Sequence, residues 1–274
     1  MARMAAEKVH LTEEKATLLA TLYGRALDAR SPHPILGDTL AAQVVERIDH
    51  DFARTGINRR SAASVAFRAR LIDGWATEFL TAHPDAVVLH LGCGLDTRAH
   101  RLDRPPGTEW YDVDYPEVVD LRRRLLPEFP GHTTIGSSVT DLAWLDQVPG
   151  DGRQVLVVAE GLFYYLDAAR GRELVRRIVD RFAGGEFVFD AMSGLGLRLQ
   201  VLNKPVREAH AKMHWAIDGP QDLLSIHPKL RCTTMLSALD LTGPGLPTGY
   251  RVAARLMRAV PGMAKAAAFY RLGF

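Results

Sequence analysis

Ala86-Val-Val-Leu-His-Leu-Gly-Cys-Gly-Leu-Asp96 is the stretch of sequence that decides the fold. Its first six residues form a nearly continuous apolar run, which is typical of a strand buried on both faces of a parallel sheet. The Gly-X-Gly turn that follows, with Gly92 and Gly94, lets a ligand approach the backbone without meeting a Cβ atom. Because an ordinary strand-to-helix connection can have the same sequence, the turn by itself does not identify a ligand.

Four more short runs predict strands, and helical patterns separate them. Pro116 to Leu126 is expected to form one helix, and Asp167 can cap another. Strands that alternate with helices of this length predict an α/β fold with a doubly wound, mostly parallel sheet of the Rossmann-like type. The four additional strands are expected at 109–113, 133–135, 155–159 and 186–190.

Residues 1–84 and 193–274 flank this α/β part, which covers residues 85–192, and we predict one domain for the whole chain. The first part has helical periodicity throughout. In the last part, a helix is expected from Trp215 to Leu224. The alternation of Tyr270, Leu272 and Phe274 predicts a closing antiparallel edge strand.

The composition is that of a globular protein, with 274 residues, 47% of them hydrophobic, and a formal net charge of +2. This charge is too small to indicate a nucleic-acid partner. No stretch approaches the ~18 uncharged apolar residues of a membrane span. Cys93 and Cys232 form neither a disulfide framework nor part of a metal-ligand cluster. We therefore expect a cytoplasmic protein without a signal peptide or a metal site, and the sequence gives no indication of its oligomeric state.

An acidic pair, Asp112 and Asp114, stands where the second strand ends. A carboxylate at this place can accept hydrogen bonds from both ribose hydroxyls of an adenosine group. Both side chains point to the same side of an extended strand, so the spacing does not choose between them. Asp114 also fits a helix start, since Pro116 follows at the first turn. Thr97 replaces the third glycine of the dinucleotide motif, so we expect an adenosine-containing cofactor without a pyrophosphate.

Glu160 directly follows the strand at 155–159, at the sheet edge where open α/β sheets bind ligands. Its carboxylate could hold an ammonium group of the cofactor. Tyr164 and Tyr165 supply hydroxyl groups nearby, although packing at the rim of the core would also explain two tyrosines.

Several segments resemble the leucine carboxyl methyltransferase family, and more narrowly its bacterial branch, the tetracenomycin-type polyketide O-methyltransferases. The most specific are Leu89-His-Leu-Gly-Cys-Gly-Leu-Asp-Thr-Arg98, Tyr111-Asp-Val-Asp-Tyr-Pro116 and Val158-Ala-Glu-Gly-Leu-Phe-Tyr-Tyr-Leu166. The resemblance implies a class I methyltransferase fold that binds S-adenosyl-L-methionine (SAM). It also implies an N-terminal helical lid over 1–84, a cofactor-binding core over 85–192 and a substrate-side segment with the closing strand over 193–274.

The resemblance further implies roles for residues of the core. Gly92 and Gly94 would shape the cofactor turn, and Asp114 would hold the ribose. Glu160 would contact the methionine end of SAM.

Three more roles lie outside the strands. Arg68, or Arg70 if the register shifts by two residues, would pair with the carboxylate of the cofactor. A planar guanidinium group suits this role because it can donate two hydrogen bonds to one carboxylate. Arg30 would match a basic residue of the lid. Tyr165 matches a family tyrosine near the acceptor and would orient the substrate as the catalytic residue.

The chain departs from the family pattern at two positions. Ser138, beside Val139, stands where the family usually has an aspartate for the adenine amino group. A serine hydroxyl still accepts a hydrogen bond, but losing the charge would weaken cofactor binding by about 1–2 kcal/mol, roughly tenfold. Thr140 replaces an arginine that holds a peptide carboxylate in the protein-methylating branch. This argues for a small-molecule acceptor.

Methyl transfer from a sulfonium to an oxygen is an in-line displacement, and its needs depend on the acceptor. A carboxylate is already anionic near neutral pH and requires only alignment and removal of water. A phenol, with a pKa near ~10, would benefit from a base. The sequence shows no convincing base, and His210 and His214, four residues apart, are the best remote candidates. The absence of a clear base favours carboxylate methylation.

Two other functions compete with methyl transfer. A non-methylating relative would use the same pocket for binding or for other chemistry, and the Ser138 departure motivates this hypothesis. A dinucleotide-dependent oxidoreductase is disfavoured by Thr97.

Overall fold

The computed structural model describes residues 7–9, 13–202, 204–240 and 248–274 of the chain. Its centre is a seven-stranded sheet with the order β3-β2-β1-β4-β5-β7-β6, in which only the pairs made by β7 are antiparallel. The predicted mostly parallel, Rossmann-like fold is therefore confirmed. The strands are β1 Val87–Leu91, β2 Glu109–Asp114, β3 His132–Gly136, β4 Val155–Ala159, β5 Gly185–Met192, β6 Arg231–Ser237 and β7 Ala267–Gly273.

The antiparallel part of the sheet differs from the prediction in one detail. The strand that contains Tyr270 and Leu272 runs antiparallel as expected, but it lies second from the edge, between β5 and β6. The edge strand is β6, for which the sequence analysis predicted no strand. Arg231 and Thr233 are exposed there, so an edge strand of this kind has no apolar run to mark it.

Helices cover both faces of the sheet. Asp38 and Asp167 cap two of them, each accepting a backbone N–H from the first turn at 3.0 Å, and Pro116 opens a third. No helix of the described ranges is both long and apolar enough to cross a membrane. The α-helices are α1 Thr17–Ala29, α2 Thr39–Glu46, α3 Arg59–Ala82, α4 Arg98–Arg101, α5 Pro116–Leu125, α6 Ala168–Arg181, α7 Gly194–Arg198, α8 Lys204–Glu208, α9 Pro220–Leu224 and α10 Thr248–Arg258.

Two apolar layers enclose the sheet, and the side chains of β1 contribute to both. Leu89 and Leu91 belong to the layer that contains Ile178 of α6, whereas Val88 belongs to the opposite layer with Phe79 of α3. Burial on both faces explains why the sequence of this strand is continuously apolar.

The N-terminal helices form a separate cluster beside this core. Leu22 of α1 and Val44 of α2 are fully buried and pack with Val118 and Leu121 of α5. The long helix α3 instead packs on the sheet itself. The helices α1 and α2 therefore lie above the helix that follows the second strand, next to the carboxyl edge of the sheet.

The prediction of a helix from Trp215 to Leu224 is wrong for the first half of this segment. Only Pro220–Leu224 is helical, because a proline disfavours helical geometry in the residue before it. Trp215 and Ile217 lie in an irregular segment and are buried against the layer beside α6.

The space around two helical glycines, one in α6 and one in α3, differs, and alanine substitutions can test this difference in packing. A Cβ on Gly171 of α6 would lie 2.2 Å from Cζ3 of the buried Trp215, so we expect Gly171→Ala to destabilise the protein by about 1–3 kcal/mol through overpacking. Gly74 of α3 has no atom within 4 Å of the same position. Gly74→Ala should therefore stabilise the protein by up to ~1 kcal/mol, since alanine favours the helix.

Urea denaturation followed by circular dichroism measures both free energies of unfolding. Equal shifts for the two variants would contradict the packing of Trp215 against Gly171.

Candidate active site

The turn after β1 requires glycine at two positions. Gly92 and Gly94 have φ angles of 62° and 49°, a left-handed conformation that residues with a Cβ rarely adopt. A Cβ on Gly92 would also lie 2.9 Å from Cδ1 of Leu162, and one on Gly94 would lie 3.2 Å from Cβ of Leu18. The two glycines keep the backbone of the turn open toward a cavity.

Asp112 is the structural acid of the acidic pair on β2. Burial opposes its ionisation, but Arg122 and the hydrogen bonds of two histidines outweigh burial, so the pKa of Asp112 lies well below its usual value. Five side-chain nitrogens lie 2.6 to 2.9 Å from its carboxylate: Nδ1 of His90, Nε1 of Trp110, Nε and Nη2 of Arg122 and Nε2 of His132.

Asp114 is the acid that faces the cavity. Its Oδ2 accepts the Gly94 amide at 2.7 Å, and its Oδ1 accepts the Tyr115 amide at 2.7 Å. Burial raises the pKa of Asp114, and these two backbone hydrogen bonds offset it only in part. The carboxylate thus joins the glycine turn to the end of β2, and of the two acids Asp114 is the one that lines the cavity.

Arg68 of α3 meets Glu160 at the end of β4. Nε of Arg68 donates to Oε1 of Glu160 at 2.9 Å, and Nη2 of Arg98 donates to Oε2 at 2.5 Å. Burial opposes ionisation of Glu160, but the two guanidinium groups outweigh it, so the pKa of Glu160 lies below its usual value. Glu160 is therefore held as an anion.

Arg98 is a functional residue that the sequence analysis did not single out. It is fully buried, and besides Glu160 it contacts Asp73 of α3 at 2.5 Å and Asp96 of the glycine turn at 2.8 Å. An arginine in the middle of a polar segment gives no sign in the sequence that it will be buried.

Asp190 and Tyr164 are two further polar residues at this place that received no role from the sequence. Asp190, near the end of β5, accepts the Gly161 amide at 2.6 Å and lies 3.3 Å from Nη1 of Arg68. The Tyr164 hydroxyl lies 3.4 Å from the same nitrogen. The position of Asp190 near the end of a predicted parallel strand could have marked it as a site residue, since the same kind of position indicated Glu160.

One cavity of about 410 Å³ brings most of the predicted site residues together. Apolar side chains such as Val118, Met192, Met213 and Phe269 form much of its wall. The predicted residues that line it are Arg68, Gly92, Gly94, Asp114, Val139, Glu160 and Tyr165.

The remaining candidates lie elsewhere. Ser138 precedes the cavity residue Val139, and its hydroxyl lies 3.1 Å from that of Thr140. His210 and His214 are exposed, and their expected common helix face is absent because α8 ends at Glu208. Within the described ranges, no group of three or more His, Cys, Asp or Glu residues could hold a metal ion.

Arg25 of α1 reaches the cavity, whereas Arg30, which follows the same helix, does not. Arg25 is buried and donates through Nη2 to the Leu95 carbonyl at 3.1 Å. Arg30 pairs with Glu46 at the surface, 2.9 Å away. Of the two alternatives Arg68 and Arg70, Arg68 lines the cavity, and the side chain of Arg70 is exposed.

Thr97 occupies the position of the third glycine of the dinucleotide motif, and its side chain has a structural role there. Its hydroxyl donates to Oδ2 of Asp38 at 2.5 Å, and the other oxygen of Asp38 caps α2. The side chain therefore anchors the N-terminal helices to the turn.

The family model described as leucine carboxyl methyltransferase matches residues 18–179. The chain belongs to this family. The matched region contains the glycine turn, Asp114, Arg68 and Glu160, whereas Met192, Met213 and Phe269 of the cavity wall lie beyond it.

Relatives from a bacterium and a fungus match most of the chain. Tetracenomycin polyketide synthesis O-methyltransferase TcmP of Streptomyces glaucescens is 48% identical over 234 residues, which are 85% of this chain and 86% of that protein. The S-adenosyl-L-methionine-dependent methyltransferase dpfgK of Gibberella zeae is 38% identical over 245 residues, 82% of each chain.

Solved structures agree on the fold. A protein of Thermobifida fusca, assigned as a methyltransferase, superposes with a TM-score of 0.55 at 18% identity over 91% of this chain and 93% of that chain. At this identity the similarity concerns the fold alone. Together with the strand order, it shows a class I methyltransferase fold.

The four donor residues around Asp112 predict a large and pH-dependent contribution to stability. Asp112→Asn should lower the free energy of unfolding by about 3–5 kcal/mol at neutral pH, because Arg122 would remain buried without its anion. The pKa of Asp112 is lower in the folded protein than in the unfolded chain, where it is about 3.9. Its stabilising effect is therefore complete above that pH and is lost as the pH falls toward the folded value.

Urea titrations from neutral pH into the acidic range measure this difference. Asp120→Asn, at an exposed carboxylate of α5, should stay within about 0.5 kcal/mol of the wild type. A loss at Asp112→Asn that is the same at every pH would contradict the assigned ionisation.

Proposed function

We propose that this methyltransferase transfers the methyl group of SAM to an oxygen of a small molecule, a carboxylate or a phenol of a polyketide-like metabolite. The observation that carries the proposal is the convergence of Arg68, Gly92, Gly94, Asp114 and Glu160 around one cavity. The names of the two relatives, a polyketide O-methyltransferase and a SAM-dependent methyltransferase, support it.

The side chains around the cavity fit the chemical groups of SAM. Asp114 would offer its carboxylate to the two ribose hydroxyls, beside the glycine turn whose Gly94 amide it accepts. Arg68 would hold the carboxylate end of the ligand and Glu160 its ammonium group, each through a charge-assisted hydrogen bond. Val139 and Ser138 would face the adenine. When bound, SAM supplies a methyl group on a positively charged sulfur.

The apolar remainder of the cavity suits an aromatic acceptor. Met192, Met213 and Phe269 form a wall without charge, and an apolar wall excludes water from the reacting oxygen. Tyr165 lines the same space and would orient the acceptor. The contribution of these residues is alignment, which can replace much of the entropic cost of bringing two reactants together.

We infer the following division of the chain. Residues 1–84 act as a helical lid, of which α1 and α3 contribute residues to the cavity wall. Residues 85–192 bind the cofactor, and residues 193–274 face the acceptor. The contacts of Thr97 with Asp38 and of Arg25 with Leu95 support a lid that is joined to the cofactor turn.

A second candidate is a non-methylating relative that uses the cavity for binding or other chemistry. The single observation that favours it is Ser138, which offers the adenine no charged acceptor. Measured SAM binding decides between the two.

Isothermal titration calorimetry with SAM should detect binding to the wild type, while NAD should give no heat. Asp114→Ala should weaken SAM binding at least tenfold, because it removes a charged acceptor of about 1.5–3 kcal/mol. Asp120→Ala, at an exposed carboxylate on α5, is the matched control and should bind as the wild type does. No binding of SAM to the wild type would favour the non-methylating relative.

A radiolabelled methyl group tests the reaction itself. The wild type is incubated with labelled SAM and polycyclic aromatic acids or phenols, and the product is treated with base. Label released by base identifies an ester, and label retained identifies an ether. Label transferred to nitrogen or carbon would contradict O-methylation.

A further inference from the structure

The helix α10 presents an apolar face to solvent. Val252 and Leu256 lie four residues apart on one side of it, and their fractional exposure is 52% and 68%. Among the described residues, the large hydrophobic ones that are exposed all belong to the segment 193–274: Val201, Val252, Leu256, Met257 and Val260. Single exposed hydrophobic residues are common on any protein, whereas a cluster on one element marks an interaction surface.

The opposite face of α10 attaches the helix to the rest of the protein. Ala254 is buried, and Arg258, one turn later on the same face, forms an ion pair with Asp240. Two residues along a helix correspond to a rotation of about 200°. A helix that is held on the side of Ala254 therefore turns Val252 and Leu256 outward.

The position of α10 relates this face to the cavity. Ala238 precedes the helix and Ala267 follows it, and both line the cavity. The helix contacts the two short 3-10 turns beside these residues, Ala238–Asp240 and Met263–Lys265. Since Phe269 of the apolar wall follows on the same strand as Ala267, α10 belongs to the apolar side of the site.

The segment that carries the helix is strongly basic. Residues 193–274 contain eleven Lys and Arg and four Asp and Glu, a formal charge of +7, although the whole chain has a charge of only +2. Residues 241–274 contain no acidic residue. Arg255 is exposed and is the neighbour of Leu256 on the helix. Basic residues beside an exposed apolar stripe are typical of a helix that lies in the interface of a membrane.

The charge and the side-chain types favour an anionic lipid surface over a second copy of the chain. Two copies that met through this face would bring together two segments of the same sign, which costs free energy. Leucine and valine also rarely anchor interfaces between proteins. Lipid acyl chains require only an apolar surface, and each basic residue near anionic head groups adds attraction.

We propose that α10 is a membrane-surface helix, which places Val252, Leu256 and Met257 among the acyl chains of an anionic bilayer while its arginines contact the lipid phosphates. With 11 residues the helix is too short to span a bilayer, so it lies in the plane of the interface. This interaction goes beyond methyl transfer. It also brings the apolar side of the cavity next to the lipid phase, in which an apolar acceptor dissolves.

Flotation of the full chain with lipid vesicles tests the proposal. The vesicles contain either phosphatidylcholine alone or an equal mixture of phosphatidylcholine and phosphatidylglycerol. We expect binding to the anionic vesicles that weakens as salt is added, because salt screens the attraction. Binding to the neutral vesicles should be at least about tenfold weaker, since several basic residues then lose their partners.

Variants of α10 separate the apolar from the charged contribution. Leu256→Ser should weaken binding to the anionic vesicles roughly tenfold, because this side chain no longer gains from burial in lipid. Arg255→Gln should weaken it about fivefold.

Arg123→Gln on α5 is the matched control. This arginine is 49% exposed, but its helix lies beside β3, at the edge of the sheet opposite to β6, so vesicle binding should equal that of the wild type. Thermal unfolding should be unchanged in all three variants, since each replaces an exposed side chain.

Three results would overturn the proposal. The first is a wild type that binds neither kind of vesicle. The second is binding that Leu256→Ser leaves unchanged, which would show attraction by charge alone. The third is a wild-type dimer in sedimentation velocity that dissociates with Leu256→Ser, since a second copy would then cover the helix. Because the readout is lipid binding, none of these results depends on the methyl transfer proposed above.

Discussion

The buried guanidinium of Arg98 is the charge on which the arrangement of the site depends. A cation taken out of water must be matched by anions at hydrogen-bond distance, since an unpaired buried charge costs several kcal/mol. Arg98 meets this condition with Asp73 of the long N-terminal helix, Asp96 of the glycine turn and Glu160 at the end of β4. These three carboxylates come from parts of the chain that share no secondary structure. One side chain therefore fixes the distance between the helix, the turn and the sheet edge.

The balance of charge also differs between the acids in and near the cavity. Arg122 lies against Asp112 and two arginines lie against Glu160, so both acids remain ionised. Asp114 and Asp190 are held mainly by backbone amides and are less stabilised as anions. Carboxylate side chains thus stabilise the fold at one place and can bind ligands at another, because the hydrogen-bond donors around them differ.

The sequence predicted those elements of the fold that a local pattern of residues marks. The apolar run before Gly92 and the proline at 116 mark their elements directly, and the sheet is mostly parallel as predicted. The edge strand β6 carries no apolar run, and the segment with Trp215 is buried without regular structure, so neither was predictable from periodicity. The family resemblance directed attention to Arg68, and the position directly after a buried strand directed attention to Glu160. Asp190 and Arg98 were missed because their positions depend on strand register and on pairing between distant segments, which the linear pattern does not contain.

Thr97 connects the choice of ligand with the assembly of the protein. In the dinucleotide motif its position is a glycine, left bare so that a helix can pack closely behind a pyrophosphate. Here the side chain is fully buried and holds Asp38, the residue that caps α2. A glycine at this position would have no side chain to bind Asp38. A variant that bound a nucleotide diphosphate at this turn would need another contact to hold its N-terminal helices, so the class of ligand and the attachment of these helices are coupled at one position.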